Sequence, residues 1–436
     1  MPLLTCYNHS TLPRGLNSLA DSSTTGAAPG TTAPPRGTLR RVAAALAFPD
    51  FRKLWFGACT SSVGTWMQSV AQNWLVLTLS GSAFYLGLDA FLGQLPIMLF
   101  TLIGGVVADR YDRRRVLLTS QYVQMSTAFA LAALVYLDVV QVWHVLALSF
   151  VTGCAQAFGG PAYQSLMPAL VPREDLPNAI ALNSIQFNLA RVLGPLLAGL
   201  ALATLGSVFC FATNGFSFLA VIAALLSLNV PERTIPARQP LVTELRGGLG
   251  YVGREGPLLG LTVLAFAATF LGTPLLTLLP VFAQNVFHEG VGRYSQMMAY
   301  SGAGAVTGAV VVAWLGRFRS MGAWALGVQV VFGGLIVLFA ISRVPLVSNL
   351  LLFAGGAALI VVFSLMISLV QLIAPNEMRG RVMSIYMVAF RGGMPLGSLA
   401  SGYLANLTSA PTALIVNGIL LIVVGTGFLI GYKKLR

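Results

Sequence analysis

Gly105-Val-Val-Ala-Asp109-Arg110-Tyr-Asp112-Arg113-Arg114-Arg115 is the stretch that decides the fold. One long apolar run enters it from Phe84 and another leaves it from Val116. Between them, two acids and four arginines crowd into seven residues. Such a knot between apolar runs reads as a tight turn joining two membrane spans at the cytoplasmic face, where Lys and Arg accumulate. The bland alternative is a basic loop that only fixes orientation. The spacing predicts more. Gly105 admits a neighbouring helix, Asp109 meets the N-terminal dipole of a partner helix, and the arginines pair with carboxylates on nearby loops.

Composition agrees with a membrane chain. Of 436 residues, 56% are hydrophobic and 9% charged, against about 25% charged in an average soluble domain. The length suits roughly twelve spans of about 20 residues. A net charge of +13 raises the question of nucleic acid, but its distribution answers it. Arginines and lysines precede the first apolar run, follow each even-numbered one and close the chain, whereas Arg293 and Arg343 alone fall in odd-numbered gaps. That asymmetry places both termini in the cytoplasm of a cell whose cytoplasmic membrane holds the chain. It reports topology, so no nucleic-acid partner is expected. The four cysteines lack paired spacing, the three histidines form no metal motif, and no lysine follows a glycine as a P-loop requires. Neither metal nor cofactor is expected. No Ser–His pair or carboxylate pair falls inside the spans, so an enzyme is not expected either.

The apolar runs predict spans at 53–79, 84–108, 115–137, 142–166, 179–204, 207–229, 257–284, 294–316, 321–342, 346–373, 381–405 and 410–432. Residues 1–48, rich in Ser, Thr, Pro and Gly, read as a disordered cytoplasmic tail. Residues 231–256 carry Pro231, Pro236, Pro240 and most of the mid-chain charge, and read as a cytoplasmic linker between bundles at 49–230 and 257–436. The halves echo each other. A shift of 203 residues carries Pro172 onto Pro375, Glu174 onto Glu377, Gly194 onto Gly397, Gly199 onto Gly402, Gly105 onto Gly308 and Gly153 onto Gly356. The expected fold is an all-α membrane protein, twelve transmembrane helices in two pseudo-symmetric six-helix bundles. Such duplicated halves enclose a cargo site and rock about it.

Gly105-x-x-x-Asp109-Arg110-x-x-Arg113-Arg114 resembles the loop 2–3 signature of the major facilitator superfamily, with Asp112 where a second glycine is usual. The ADRYDRRR form is similar to the branch holding siderophore exporters and macrolide efflux pumps. Asn188 to Gly199 resembles the superfamily's antiporter motif through Gly194, Pro195 and Gly199, with Ala190 and Ala198 in place of glycine. Ordinary small-residue packing explains the same stretch equally well. The resemblance implies export of a small amphiphilic molecule in exchange for protons, by a single chain in the lipid bilayer. Lipid or lysophospholipid flipping is the alternative within the same fold. Many proton antiporters of the superfamily carry an Arg in span four. Phe150 to Gln156 has none, so a proton route must use other groups.

Charges inside spans are the sharper residues, because each costs about 2.5–3.5 kcal/mol on insertion scales. Asp89 is the one acid so placed and the proton-coupling candidate, with simple hydration near the outer surface as the plain alternative. Arg191 and Arg391 are candidates to attract an anionic substrate or to pair with Asp89, with snorkelling as their alternative. Trp66, Gln68, Gln72 and Asn73 of span one and Gln156 and Gln164 of span four are expected to line a cavity, or to bond helix to helix. Glu377 and Asp112 are expected to latch onto the loop arginines when the cytoplasmic side is shut.

Overall fold

The computed structural model describes residues 44–228, 249–316, 318 and 320–431. Residues 1–43 of the expected tail, 231–248 of the expected linker, Arg317, Arg319, Lys433, Lys434 and Arg436 lie outside the described residues. So do the side chains of Leu102 and Asp109. Twelve long helices and no strand are found among the described residues. In chain order they are α1 Pro49–Ser80, α2 Ala83–Arg110, α3 Arg113–Tyr136, α4 Val142–Leu166, α5 Leu176–Thr204 and α6 Gly206–Leu226. There follow α7 Gly256–Val286, α8 Val291–Leu315, α9 Met321–Ile341, α10 Pro345–Ile373, α11 Arg379–Leu407 and α12 Ala410–Gly431. Helix α7 is interrupted at Thr273 and Leu278, beside Pro274 and Pro280, and ends in a π turn.

Local chemistry sets the boundaries. Gly81, at φ +61°, closes α1 by donating its N–H to the Leu77 carbonyl, and Ser82 Oγ then accepts from the Phe84 N–H that opens α2. Asp112 opens α3 in the same manner, accepting from the Arg114 N–H at 2.9 Å. Among the described residues, nine of the twelve are long and apolar enough to cross a membrane by length and composition. The other three, α1, α3 and α11, are the more polar ones: α1 carries Gln68, Gln72 and Asn73, α3 begins on three arginines, and α11 holds Arg379, Arg381 and Arg391.

Packing repeats after six helices. α1 lies on α5 and α6, α2 on α4, and α3 on α4 and α6; α7 likewise lies on α11 and α12, α8 on α10, and α9 on α10 and α12. Between the two sets, α2 packs on α11 and α5 on α8, each crossing the counterpart of the other. The arrangement is thus unchanged when the six-helix sets are exchanged, as two pseudo-symmetric bundles require. Glycines permit the closest approaches. An added Cβ at Gly153 would strike the Gly93 carbonyl on α2, and one at Gly356 the Ser301 carbonyl on α8. The approach expected of Gly105 is made one residue earlier, at Gly104, whose face abuts the Ala157 carbonyl. Gly105 is turned about 100° away and faces open space.

The apolar core is unequal at the two ends. The odd-turn end carries the turns after α1, α3, α5, α7, α9 and α11; the even-turn end carries the others. Toward the odd-turn end one continuous cluster joins Met67, Val70 and Phe211 of the first bundle to Phe282, Tyr294 and Phe332 of the second. Toward the even-turn end the clusters separate. Leu54, Leu117 and Val221 belong to one bundle only, and Leu261, Met366 and Val382 to the other. The bundles share an apolar core at one end and keep separate cores at the other.

Candidate functional site

Asp89 sits in the second turn of α2, which Ser82 caps, and is 5% exposed. Gln72 of α1 donates from Nε2 to its Oδ2 at 2.9 Å, and Ser149 of α4 donates from Oγ to its Oδ1. Gln72 Nε2 also donates to Ser149 Oγ at 2.8 Å. Three helices of the first bundle are thereby tied through one carboxylate. No cation pairs with it among the described residues; Lys53–Asp50 and Arg115–Asp112, both at the even-turn end, are ion pairs remote from it. The carboxylate is buried and held by neutral donors alone.

One residue beyond Gln72 the contacts cross between bundles. Asn73 donates from Nδ2 to the Tyr294 hydroxyl of α8 at 3.0 Å, and the Tyr294 ring stacks on Trp74 with centroids 6.4 Å apart. Ser82 Oγ meets Asn406 Oδ1 at 2.7 Å, joining the α1–α2 turn to α11. Gly402 of α11 abuts Gly87 and the Ala83 carbonyl of α2, and Gly199 of α5 abuts Ser295 of α8. Deeper, Gly302 of α8 rests on the Arg191 carbonyl. All these contacts lie between the odd-turn end and mid-depth.

The remaining amides divide. Gln68 accepts from Asn214 Nδ2 of α6 at 2.6 Å, and Gln156 reaches Gln124 Oε1 of α3 at 3.4 Å, both inside the first bundle. Gln164 is exposed. Trp66 meets Phe187 of α5 edge to face at 6.0 Å and lies beneath the Arg191 guanidinium, 5.8 Å from its ring centre. Arg391 is exposed on α11. Asp89 is brought to neither arginine. Gly194 presses on Trp66, Pro195 is buried, and Gly199 faces α8, so the antiporter-like stretch contacts both bundles.

At the even-turn end the arginine knot is stapled within its own bundle. Arg113 donates to the Ser165 carbonyl at 3.1 Å and Arg114 to the Leu226 carbonyl at 2.6 Å, at the C-terminal ends of α4 and α6. Asp112 pairs with Arg115 at 3.5 Å. Arg110 and Glu377 are exposed, and Glu377 makes no ion pair among the described residues. No ion pair of the expected latch between loops 2–3 and 10–11 forms among the described residues. Sequence reasoning missed Ser149 and Tyr294. A serine among many small residues carries no signal. A tyrosine at a helix start reads as an interfacial ring, yet Tyr294 is wholly buried.

The family described as transmembrane secretion effector matches this chain over residues 42–434. The staphyloferrin A transporter of Staphylococcus aureus is 25% identical over 397 residues, covering 86% of this chain and 94% of its own. The multidrug efflux pump Tap of Mycolicibacterium fortuitum is 28% identical over 364 residues, covering 80% and 88%. Among solved structures, a bacterial homologue of the human lysosomal transporter Spinster, inward-facing and unoccupied, superposes with a TM-score of 0.71 at 13% identity, covering 90% of this chain and 97% of that one. That likeness is one of fold.

Proposed function

The chain belongs to the transmembrane secretion effector family of the major facilitator superfamily, multi-pass membrane transporters of small molecules, and from that membership we propose that it exports a small amphiphilic molecule from the cytoplasm in exchange for protons, by alternating access. The observation that carries the reading is the unequal core, continuous between bundles at the odd-turn end and divided at the even-turn end. The basic residues gather at the even-turn end, so that end is assigned to the cytoplasm, with both termini. The carrier then stands open inward, with 49–230 and 257–436 as the rocking bodies and 231–256 between them. None of the relatives quoted above is named for lipid movement, so lipid flipping is not carried forward.

Asp89 is the proton site in this scheme. Its two oxygens accept from Gln72 and Ser149. A proton arriving on Oδ2 sets an O–H against the donor-only Gln72 amide and displaces that bond, whereas Ser149 can reverse its hydroxyl and accept from Oδ1. Gln72 adjoins Asn73, whose bond to Tyr294 helps to hold the outer side shut. Proton uptake therefore loosens α1 beside the outer contact, which couples charge to opening. In inverted vesicles with an acidic interior, cargo uptake should collapse when the gradient is dissipated. Uptake indifferent to the gradient removes proton exchange from the scheme.

A further inference from the structure

Arg191 and Arg391 carry an inference about the cargo, one that rests on the export reading. Both sit far from either end of their helices. At 1.5 Å per residue, Arg191 lies about 22 Å from the start of α5 and Arg391 about 18 Å from the start of α11. Their bearings are set by neighbours. On α5, Gly194 touches α1 and Gly199 touches α8. At roughly 100° per residue, Arg191 falls between those two faces. On α11, Gly397 touches Phe270 of α7 and Gly402 touches Gly87 of α2, and Arg391 falls between those faces in turn. Exchange of the bundles carries one sector onto the other. Each arginine thus projects from the α5 or α11 crossing into the wedge between a helix of its own bundle and one of the opposite bundle.

Neither wedge holds a compensating acid among the described residues. Neither arginine is within ion-pairing distance of a carboxylate among the described residues. Asp89, the acid inside a span, is turned into the first bundle and held by Gln72 and Ser149. Arg191 rests on the Trp66 face, and Arg391 is exposed, with no hydrogen bond or ion pair among the described residues. We propose that these two guanidinium groups recognise the negative charge of the cargo, which is an amphiphilic organic anion bearing carboxylate or comparable oxyanion groups. The planar guanidinium fork matches such groups, low-dielectric walls strengthen the attraction, and Trp66 with Phe187 supplies an apolar surface beside Arg191. A cationic drug of equal size meets repulsion beside either arginine.

Carboxyfluorescein and rhodamine 123 test this, because they share a xanthene frame and differ in charge. Purified full-length protein is reconstituted in vesicles, with binding read by tryptophan quenching and transport by dye recovered at a fixed pH. The anion should be carried with a KM at least tenfold below that for the cation. Arg191→Gln and Arg391→Gln should each raise the KM for carboxyfluorescein tenfold or more with little change in kcat, and Arg191→Lys should restore part of it. Equal or better transport of rhodamine 123 leaves export standing and overturns the assignment. Unchanged KM in both Gln variants, shown folded by their melting curves, overturns it too. Tight anion binding without transport keeps the charge assignment and sinks the export reading instead. Binding of neither dye overturns both.

Discussion

Asp89 shows how much of a membrane residue's meaning lies in its partners. An acid in an apolar run is visible in sequence, but its being buried, 5% exposed and held by two neutral donors is not. Asp89→Asn keeps the shape and removes the titrating group. It should abolish gradient-driven uptake in inverted vesicles while leaving gradient-free exchange of cargo; full coupling in that variant would eliminate Asp89 as the proton site. Ser149→Ala strips one donor from a buried carboxylate and should cost about 1.5–3 kcal/mol, the scale of a hydrogen bond to a charged group, read as a lowered melting temperature in detergent. The amides expected to line a cavity are less free than they looked. Gln68, Gln72 and Gln156 are spent on bonds within the first bundle, and Asn73 crosses to Tyr294.

Elements were more legible than contacts. Each of the twelve helices lies where an apolar run predicted a span, with ends displaced by a few residues, because a bilayer demands about twenty apolar residues whatever surrounds them. Helix rotation was not legible. Gly104 and Gly105 are equal as letters, yet one meets the Ala157 carbonyl and the other open space. Gly104→Ala should therefore destabilise by about 1–3 kcal/mol through overpacking. Gly105→Ala should be neutral, or stabilising by up to about 1 kcal/mol from helix propensity. Thermal unfolding of the two variants decides it, and equal melting temperatures would refute the assigned face. The arginine knot gained a role of its own, since Arg113 and Arg114 close the open carbonyl ends of α4 and α6.

On the scale of the whole molecule, one apolar core is shared by both bundles at the odd-turn end and separate cores fill them at the other; in the proposed cycle the first is the closed gate and the second the open one. Ser82 and Asn406 face each other across the closed gate. In a background freed of native cysteines, Ser82→Cys with Asn406→Cys, joined by a short bis-thiol reagent, should stop transport almost completely and recover when the link is cleaved. Transport persisting at full rate in the cross-linked protein would mean that the two bundles never separate there. A thiol placed at exposed Glu377 should by contrast react in the resting protein, becoming protected when the latch to the loop arginines forms.

Sequence alone determined the class, the helix count, the alternation of ends and the doubling of six into twelve. These follow from properties local to each segment: apolar length, Lys and Arg bias, and small residues recurring at one offset. Only the tertiary structure decided which polar groups are satisfied and which are left over. The deciding bonds join residues far apart in the chain, 60 for Ser149 with Asp89 and 221 for Asn73 with Tyr294. Which face a helix turns to its neighbour depends on how all twelve pack, and no single span contains that information.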